Sequence, residues 1–194
     1  MKGNVNRKKN SILFSLLLVG ILGCLSCAAT ARGNESPYVW LADNSKYTLL
    51  PPAHIENPMD NYQIVSASYG GRDYQLNAWV KADETGIDMT VLNELGATMG
   101  ELSYRGGAVS FSSSVFSMPL KPEYIIADFQ LCFYNAAALG RALEEGGLSL
   151  EETQTGRRIL SGNDVIMEIK KSRNAIRLIN HLRGYAYTLE GDFE

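Results

Sequence analysis

The stretch Asp73-Tyr74-Gln75-Leu76-Asn77-Ala78-Trp79-Val80-Lys81 decides the fold class. Tyr74, Leu76, Ala78 and Val80 fall on one side of an extended chain. Gln75, Asn77, Trp79 and Lys81 fall on the other, the period of two that a half-buried strand requires. Gly70-Gly71 just before it predicts a tight hairpin turn, with Gln63–Tyr69 as the partner strand. After the turn Asp83-Glu84-Thr85-Gly86, residues Ile87, Met89 and Val91 repeat the period while Asp88 and Thr90 face away. Ala97–Tyr104, a second glycine turn at Arg105-Gly106-Gly107, and Ala108–Ser112 complete five strands with loops short enough for antiparallel neighbours.

The period then changes. Pro119 and Pro122 punctuate, and Pro122 suits the first turn of a helix. Tyr124–Tyr134 carries apolar residues at 125, 126, 129, 132 and 133, which is helical spacing. Ala136–Glu145 is rich in helix formers and stops at Gly146-Gly147. Five further strands are expected at Leu148–Glu152, Arg157–Leu160, Val165–Lys170, Ala175–Asn180 and Tyr185–Glu190. The expected fold is α+β: a strongly curved antiparallel sheet of about ten strands, a half-barrel, with the two-helix insert covering its concave face. Twist accumulates in so wide a sheet and makes it curl. A body of about 150 residues is large enough to bury an independent core.

Composition fits an ordinary folded protein, with 45% apolar and 20% charged residues. The net charge of −3 hides an asymmetry. Lys2, Arg7, Lys8 and Lys9 precede residue 11 and no acid does, which leaves the rest of the chain at −7. A body of that sign argues against nucleic acid as a partner. The cations lead into an almost wholly apolar run over 11–23, followed by Cys24, Ser26, Cys27, Ala28 and Ala29. A basic head, an apolar core of that length and a small-residue exit read as a secretory signal.

Ile21-Leu22-Gly23-Cys24 resembles the bacterial lipobox, in which the thiol receives a diacylglycerol and becomes residue one. Cys24 is the preferred lipid-attachment residue and Cys27, after Leu25-Ser26, the alternative. An uncleaved signal anchor and an ordinary cleaved signal are the competing readings. Buried acyl carbons contribute roughly 0.8 kcal/mol each, enough for a membrane anchor. The expected division is a signal over 1–23, a flexible tether over 24–46, in which Tyr38-Val39-Trp40-Leu41 is an apolar knot, and a folded body over 47–194. Neither Leu25 nor Ala28 is the Asp of an inner-membrane retention signal, so the expected address is the periplasmic face of the outer membrane.

No catalytic or metal-binding constellation is legible. His54 lies in a Pro-rich entry segment and His181 at a strand end. There is no Gly-x-Ser-x-Gly elbow and no His/Cys/Asp cluster with ligand spacing. No cofactor is implied. Cys132, inside an apolar helical pattern, reads as a small core residue.

The string Tyr124-Ile125-Ile126-Ala127-Asp128-Phe129-Gln130-Leu131, followed by Phe133, resembles the signature of the lipoprotein family known as domain of unknown function 3261. Leu49-Leu50-Pro51-Pro52 and Ile176-x-Leu178-x-Asn180-His181-x-x-Gly184-Tyr185-x-Tyr187-x-Leu189 resemble it too, so the likeness spans about residues 47–190. Tyr134-Asn135 departs from it, standing where a Trp-Pro pair would close the first helix. The resemblance implies an outer-membrane lipoprotein of Gram-negative bacteria, with a fold similar to the lipoprotein-localisation carriers LolA and LolB. It also implies a setting among genes for aryl polyene or fatty-acid-like lipids.

The expected function is binding or receiving an acyl-chain-bearing lipid or lipoprotein in an apolar cavity, linked to aryl polyene or fatty-acid-like lipid export, with a periplasmic carrier that hands the lipid over, or an exporter, as the expected partner. Its expected lining is Leu76, Val80, Met89 and Val91 from the first strands, Phe129 and Phe133 from the helix, and Val165, Met167 and Ile169 from the later strands. Asp128 and Gln130 form a polar pair, read either as head-group ligands or, preferably, as structural hydrogen-bonding residues. The alternative function is a non-catalytic scaffold lipoprotein docking on an export or biosynthetic complex, with an exposed apolar or aromatic patch around Tyr38–Leu41 or Phe116. A lipid esterase would require His54 or His181 beside a Ser or Asp.

Overall fold

A computed structural model describes residues 36–69, 71–113 and 121–193. The signal-like run, Cys24, Cys27 and Phe116 lie outside the described residues.

The alternating stretch lies in β4 (Arg72–Asp83), paired residue for residue with β3 (Met59–Tyr69), so that Gln63 faces Ala78 and Val65 faces Leu76. From β4 the chain meanders through β5 (Gly86–Leu92), β6 (Thr98–Arg105) and β7 (Ala108–Ser113). Gly106 and Gly107 turn between β6 and β7 with φ of 56° and 77°, the left-handed pair that a two-residue hairpin needs. Two helices follow, α1 (Pro122–Phe133) and α2 (Ala136–Glu145). A second meander runs through β8 (Ser149–Thr153), β9 (Gly156–Ser161), β10 (Asp164–Lys171), β11 (Ala175–Asn180) and β12 (Tyr185–Glu190).

All ten strands form one antiparallel sheet in the order β7-β6-β5-β4-β3-β12-β11-β10-β9-β8. The two meanders meet in the middle, where β3 pairs with β12. The sheet is not closed: β7 and β8 are its edges. Side chains from β3, β4, β5 and β12 converge on one face of α1, which is consistent with a curved sheet.

The helices exist for the reasons their sequence suggests. Pro122 occupies the first turn of α1, where a backbone N–H would find no partner within the helix, so that proline's lack of one costs nothing. At the other end, the buried Arg157 of β9 donates from Nη1 to the carbonyls of Leu131 (3.2 Å) and Tyr134 (2.7 Å). Its charge complements the negative end of the helix dipole. Asn135, where the expected Pro is missing, does different work: its side chain accepts from Ala138 N at 2.9 Å and caps α2.

The tether expected over 24–46 needs correction. Residues 24–35 lie outside the described residues, but from Tyr38 the chain is a hairpin, β1 (Tyr38–Ala42) with β2 (Ser45–Thr48), within the same compact unit as the sheet. Val39, Leu41 and Tyr47 are almost fully buried, whereas Tyr38 and Trp40 face outward. The reason is the same period of two: the apolar knot is a strand with one face to bury, turned at Asp43-Asn44, where Asn44 has φ of 62°. Among the described residues, no helix is long and apolar enough to cross a membrane.

Candidate functional site

The inner face of the sheet is unevenly filled. One row across the strands reads Gln63, Ala78, Val91, Gly100 and Ser113. Another reads Ala82, Ile87, Tyr104 and Val109. The second row, with large side chains, packs solid: Ile87 and Tyr104 are no more than 1% exposed. The first, where Ala78 stands between Gln63 and Val91, borders a gap beneath α1. The result is a cavity of about 240 Å³ between Ile125, Asp128 and Phe129 of α1 and the inner faces of β3, β4, β5 and β12. Its wall is mostly hydrocarbon: Val65, Ala67, Leu76, Val80, Met89 and Leu189 contribute alongside the residues already named. Pockets for drug-sized ligands measure about 300–1,000 Å³, so this space suits a length of chain and not a whole lipid.

Five of the nine expected lining residues are here: Leu76, Val80, Met89, Val91 and Phe129. The other four are not, each for a structural reason. Phe133 sits one turn beyond Phe129, with ring centroids 4.7 Å apart, and packs on Phe193 at 5.8 Å. It borders a separate cleft of about 380 Å³ with Glu56, Lys171 and Arg173. Met167 and Ile169 point inward but are buried in solid core, at 0% and 1% exposure. Val165 precedes a register shift between Val165 and Met167, and it lines a surface cleft with Ala42, His181 and Leu182. A bulge resets the alternation that the sequence reading assumed. The lining residues that reading missed are chiefly Tyr187 and Leu189 of β12, because the pairing of β12 with β3 joins residues far apart in sequence. Ala67 and Ala78 were signalled by their small size at inward positions.

The polar pair divides into two roles. Gln130 is fully buried and structural. Its Oε1 accepts from Tyr47 Oη (2.9 Å) and Leu50 N (3.0 Å), and its Nε2 donates to Leu50 O (2.8 Å). It staples α1 to the hairpin and to the extended segment after it. Asp128, 7% exposed, lies in the cavity wall. Tyr185 Oη donates to its Oδ2 at 2.8 Å. Burial lifts the Asp128 carboxyl from the usual carboxylate range to about 7, against the opposing pull of the Tyr185 hydrogen bond and the Arg183 charge. The same burial, with the neighbouring Asp128 adding to it, raises the Tyr185 hydroxyl. Cys132, one turn on, is fully buried and its thiol is pushed up to about 12, chiefly by burial.

The histidines lie elsewhere. His181 Nε2 is 3.9 Å from Glu168 Oε2 on the exposed side, and His54 offers its backbone carbonyl to Asn135. Among the described residues no group of three or more His, Cys, Asp or Glu could hold a metal ion.

Comparison with known families finds one match of note: the model described as "Protein of unknown function (DUF3261)" matches residues 60–191, more than half of the chain. It covers β4–β12, both helices and nearly all of β3, hence every residue of the cavity wall. No curated protein sequence matches the chain.

Proposed function

The chain belongs to the family of proteins of unknown function DUF3261, and on that premise we propose that it is a lipid-anchored outer-membrane protein that takes an acyl chain into the cavity beneath α1. The open ten-stranded sheet, with α1 against its inner face, supports reading the sheet as a half-barrel similar to LolA and LolB. The observation that carries the proposal is the cavity itself: an apolar gap bounded by helix and sheet. Methylenes entering it leave water at roughly 0.8 kcal/mol each. Transfer from a periplasmic carrier, or onward to an exporter of aryl polyene or fatty-acid-like lipids, then runs on differences in apolar burial with no covalent step. Cys24, or Cys27 in its place, holds the protein at the membrane.

The protein purified from membranes and washed free of loose lipid should retain an acyl-chain compound detectable by mass spectrometry. Met89→Asp, which puts a charge in the wall, should abolish retention while leaving the circular dichroism spectrum unchanged. Protein that carries no lipid and binds no fluorescent fatty-acyl probe would sink the reading. Metabolic labelling with radioactive palmitate tests the anchor: Cys24→Ser should remove the label, whereas label lost only in Cys27→Ser moves the attachment. Sedimentation of the protein with inner-membrane vesicles would overturn the outer-membrane assignment.

One observation favours the scaffold alternative. Tyr38 and Trp40 are 41% and 45% exposed, in edge-to-face contact at 6.0 Å, on the outward side of the hairpin. Aromatic pairs left in solvent are recurrent anchors of protein interfaces. A photo-crosslinker placed at Trp40 should then capture one discrete protein in cells, and a blank result removes this reading.

A further inference from the structure

Resting on that reading of the cavity, we propose that the guest is selected at its inserted end: the cavity accepts a chain ending in a hydrogen-bond donor such as a hydroxyl, held by Asp128, and excludes chains ending in an anion. The polar groups of the wall carry the argument. Asp128 stands three residues after Ile125 and beside Phe129, so its carboxyl lies on the cavity face of α1. Tyr185 Oη occupies Oδ2. The remaining oxygen is the acceptor available to a guest. Gln63, at 2% exposure in β3, turns its Nε2 to Asn61 Oδ1 at 3.0 Å, which leaves its amide oxygen as a second acceptor.

Asp128 and Gln63 therefore present acceptors, and the hydroxyl of Tyr187, the third polar side chain of the wall, is engaged with the Cys132 thiol. Among the described residues that line the cavity there is no Lys or Arg. Arg183, the cation nearest to Asp128 in its electrostatics, is directed outward, to the carbonyl of Trp40 and over the ring of Tyr124 at 4.6 Å. A carboxylate or phosphate head inside would be stripped of water beside a carboxyl, with no counter-charge to meet it. A hydroxyl or amide N–H would complete the hydrogen bonding of Asp128. Sites built to pair with a donor discriminate strongly, because the analogue that lacks one leaves a buried acceptor unpaired.

The test is calorimetric titration of the full chain at pH 7.5 with decan-1-ol and with decanoate, matched in chain length. Decan-1-ol should bind at least tenfold more tightly. Asp128→Asn keeps an acceptor for Tyr185 and adds a donor, so decanoate should gain and the preference should fall below about threefold. Asp128→Leu, an apolar replacement that also guards against misfolding of the first variant, should erase the advantage of decan-1-ol. Ala67→Phe, which fills the cavity, should remove both ligands. Equal affinities that are both lost in Ala67→Phe would overturn the selection and leave the acyl cavity standing. Binding of neither ligand would overturn both, and an Asp128→Asn protein with unchanged preference would overturn the role of Asp128.

Discussion

Replacing Asp128 by asparagine should stabilise the protein, and by an amount that grows with pH. In the folded chain its carboxyl titrates at about 7, against an ordinary value of 3.8. The folded state therefore holds its proton more tightly than the unfolded state does. Below about pH 4 both states are protonated and burial of the side chain costs no charge. Between about 4 and 7 the unfolded chain ionises while the folded one resists, and stability falls as pH rises. Above 7 the full penalty is present. Three units at 1.36 kcal/mol each set its upper bound at about 4 kcal/mol. Asparagine carries no such penalty, yet its Oδ1 still accepts from Tyr185. Urea denaturation of both proteins from pH 4 to pH 8 reads the difference directly, because every other titrating group is common to the two. With a slope of about 2 kcal/mol per molar urea, the midpoints should nearly coincide at pH 4 and differ by up to about 2 M at pH 8. Midpoints that stay parallel across the range would refute the reasoning and show that Asp128 ionises as freely as a surface carboxylate.

Three further outcomes follow from the packing around α1. Arg157→Met should cost about 3 kcal/mol, a fall of about 10 °C in thermal midpoint, because the carbonyls of Leu131 and Tyr134 lose their donor; Glu56 and Glu152 are half-exposed and rehydrate. Gln130→Leu should cost about 2–3 kcal/mol by unpairing Tyr47 Oη and both backbone groups of Leu50, read by the same melt. Cys132 should resist thiol reagents in the native protein and react only in denaturant, with the modified peptide identified by mass spectrometry; a native rate like that of a free thiol would contradict its burial and raised pKa.

Much of the fold was legible because strand and helix announce themselves by period. All ten strands of the large sheet, and both helices, fall within a few residues of where the alternation and the 3.6-residue spacing put them. Misjudged features involve information that a period does not carry. The hairpin β1–β2 is hard to see in the sequence because Tyr38–Leu41 are four apolar residues between polar stretches, although Val39 and Leu41 already alternate with Tyr38 and Trp40. The candidate lining over Val165–Ile169 failed at a bulge, which shifts parity within one strand and leaves no mark in composition. It failed also because β10 lies across β12 and β11 from β3, in a region where the core is full. Periodicity states which residues face inward. Whether they leave space depends on which small residues come together, and Ala67 and Ala78 border one gap only once the strands are aligned. Asp128 stood out as polar within an apolar helix, but its partner Tyr185 lies 57 positions away.

The seam between β3 and β12 has a bearing on how the molecule comes into being. The first and last long strands zip together at the centre of the sheet, so neither half can be completed until synthesis is nearly over. Until Tyr185–Glu190 emerges, the Ile64–Tyr69 half of β3 offers bare amides and carbonyls along one side, an invitation to mispairing with any other nascent polypeptide. A chain cut short before residue 185 would thus lose more than its tail: its two meanders would have no common edge, and a holding chaperone would be its natural companion until the final strand arrived.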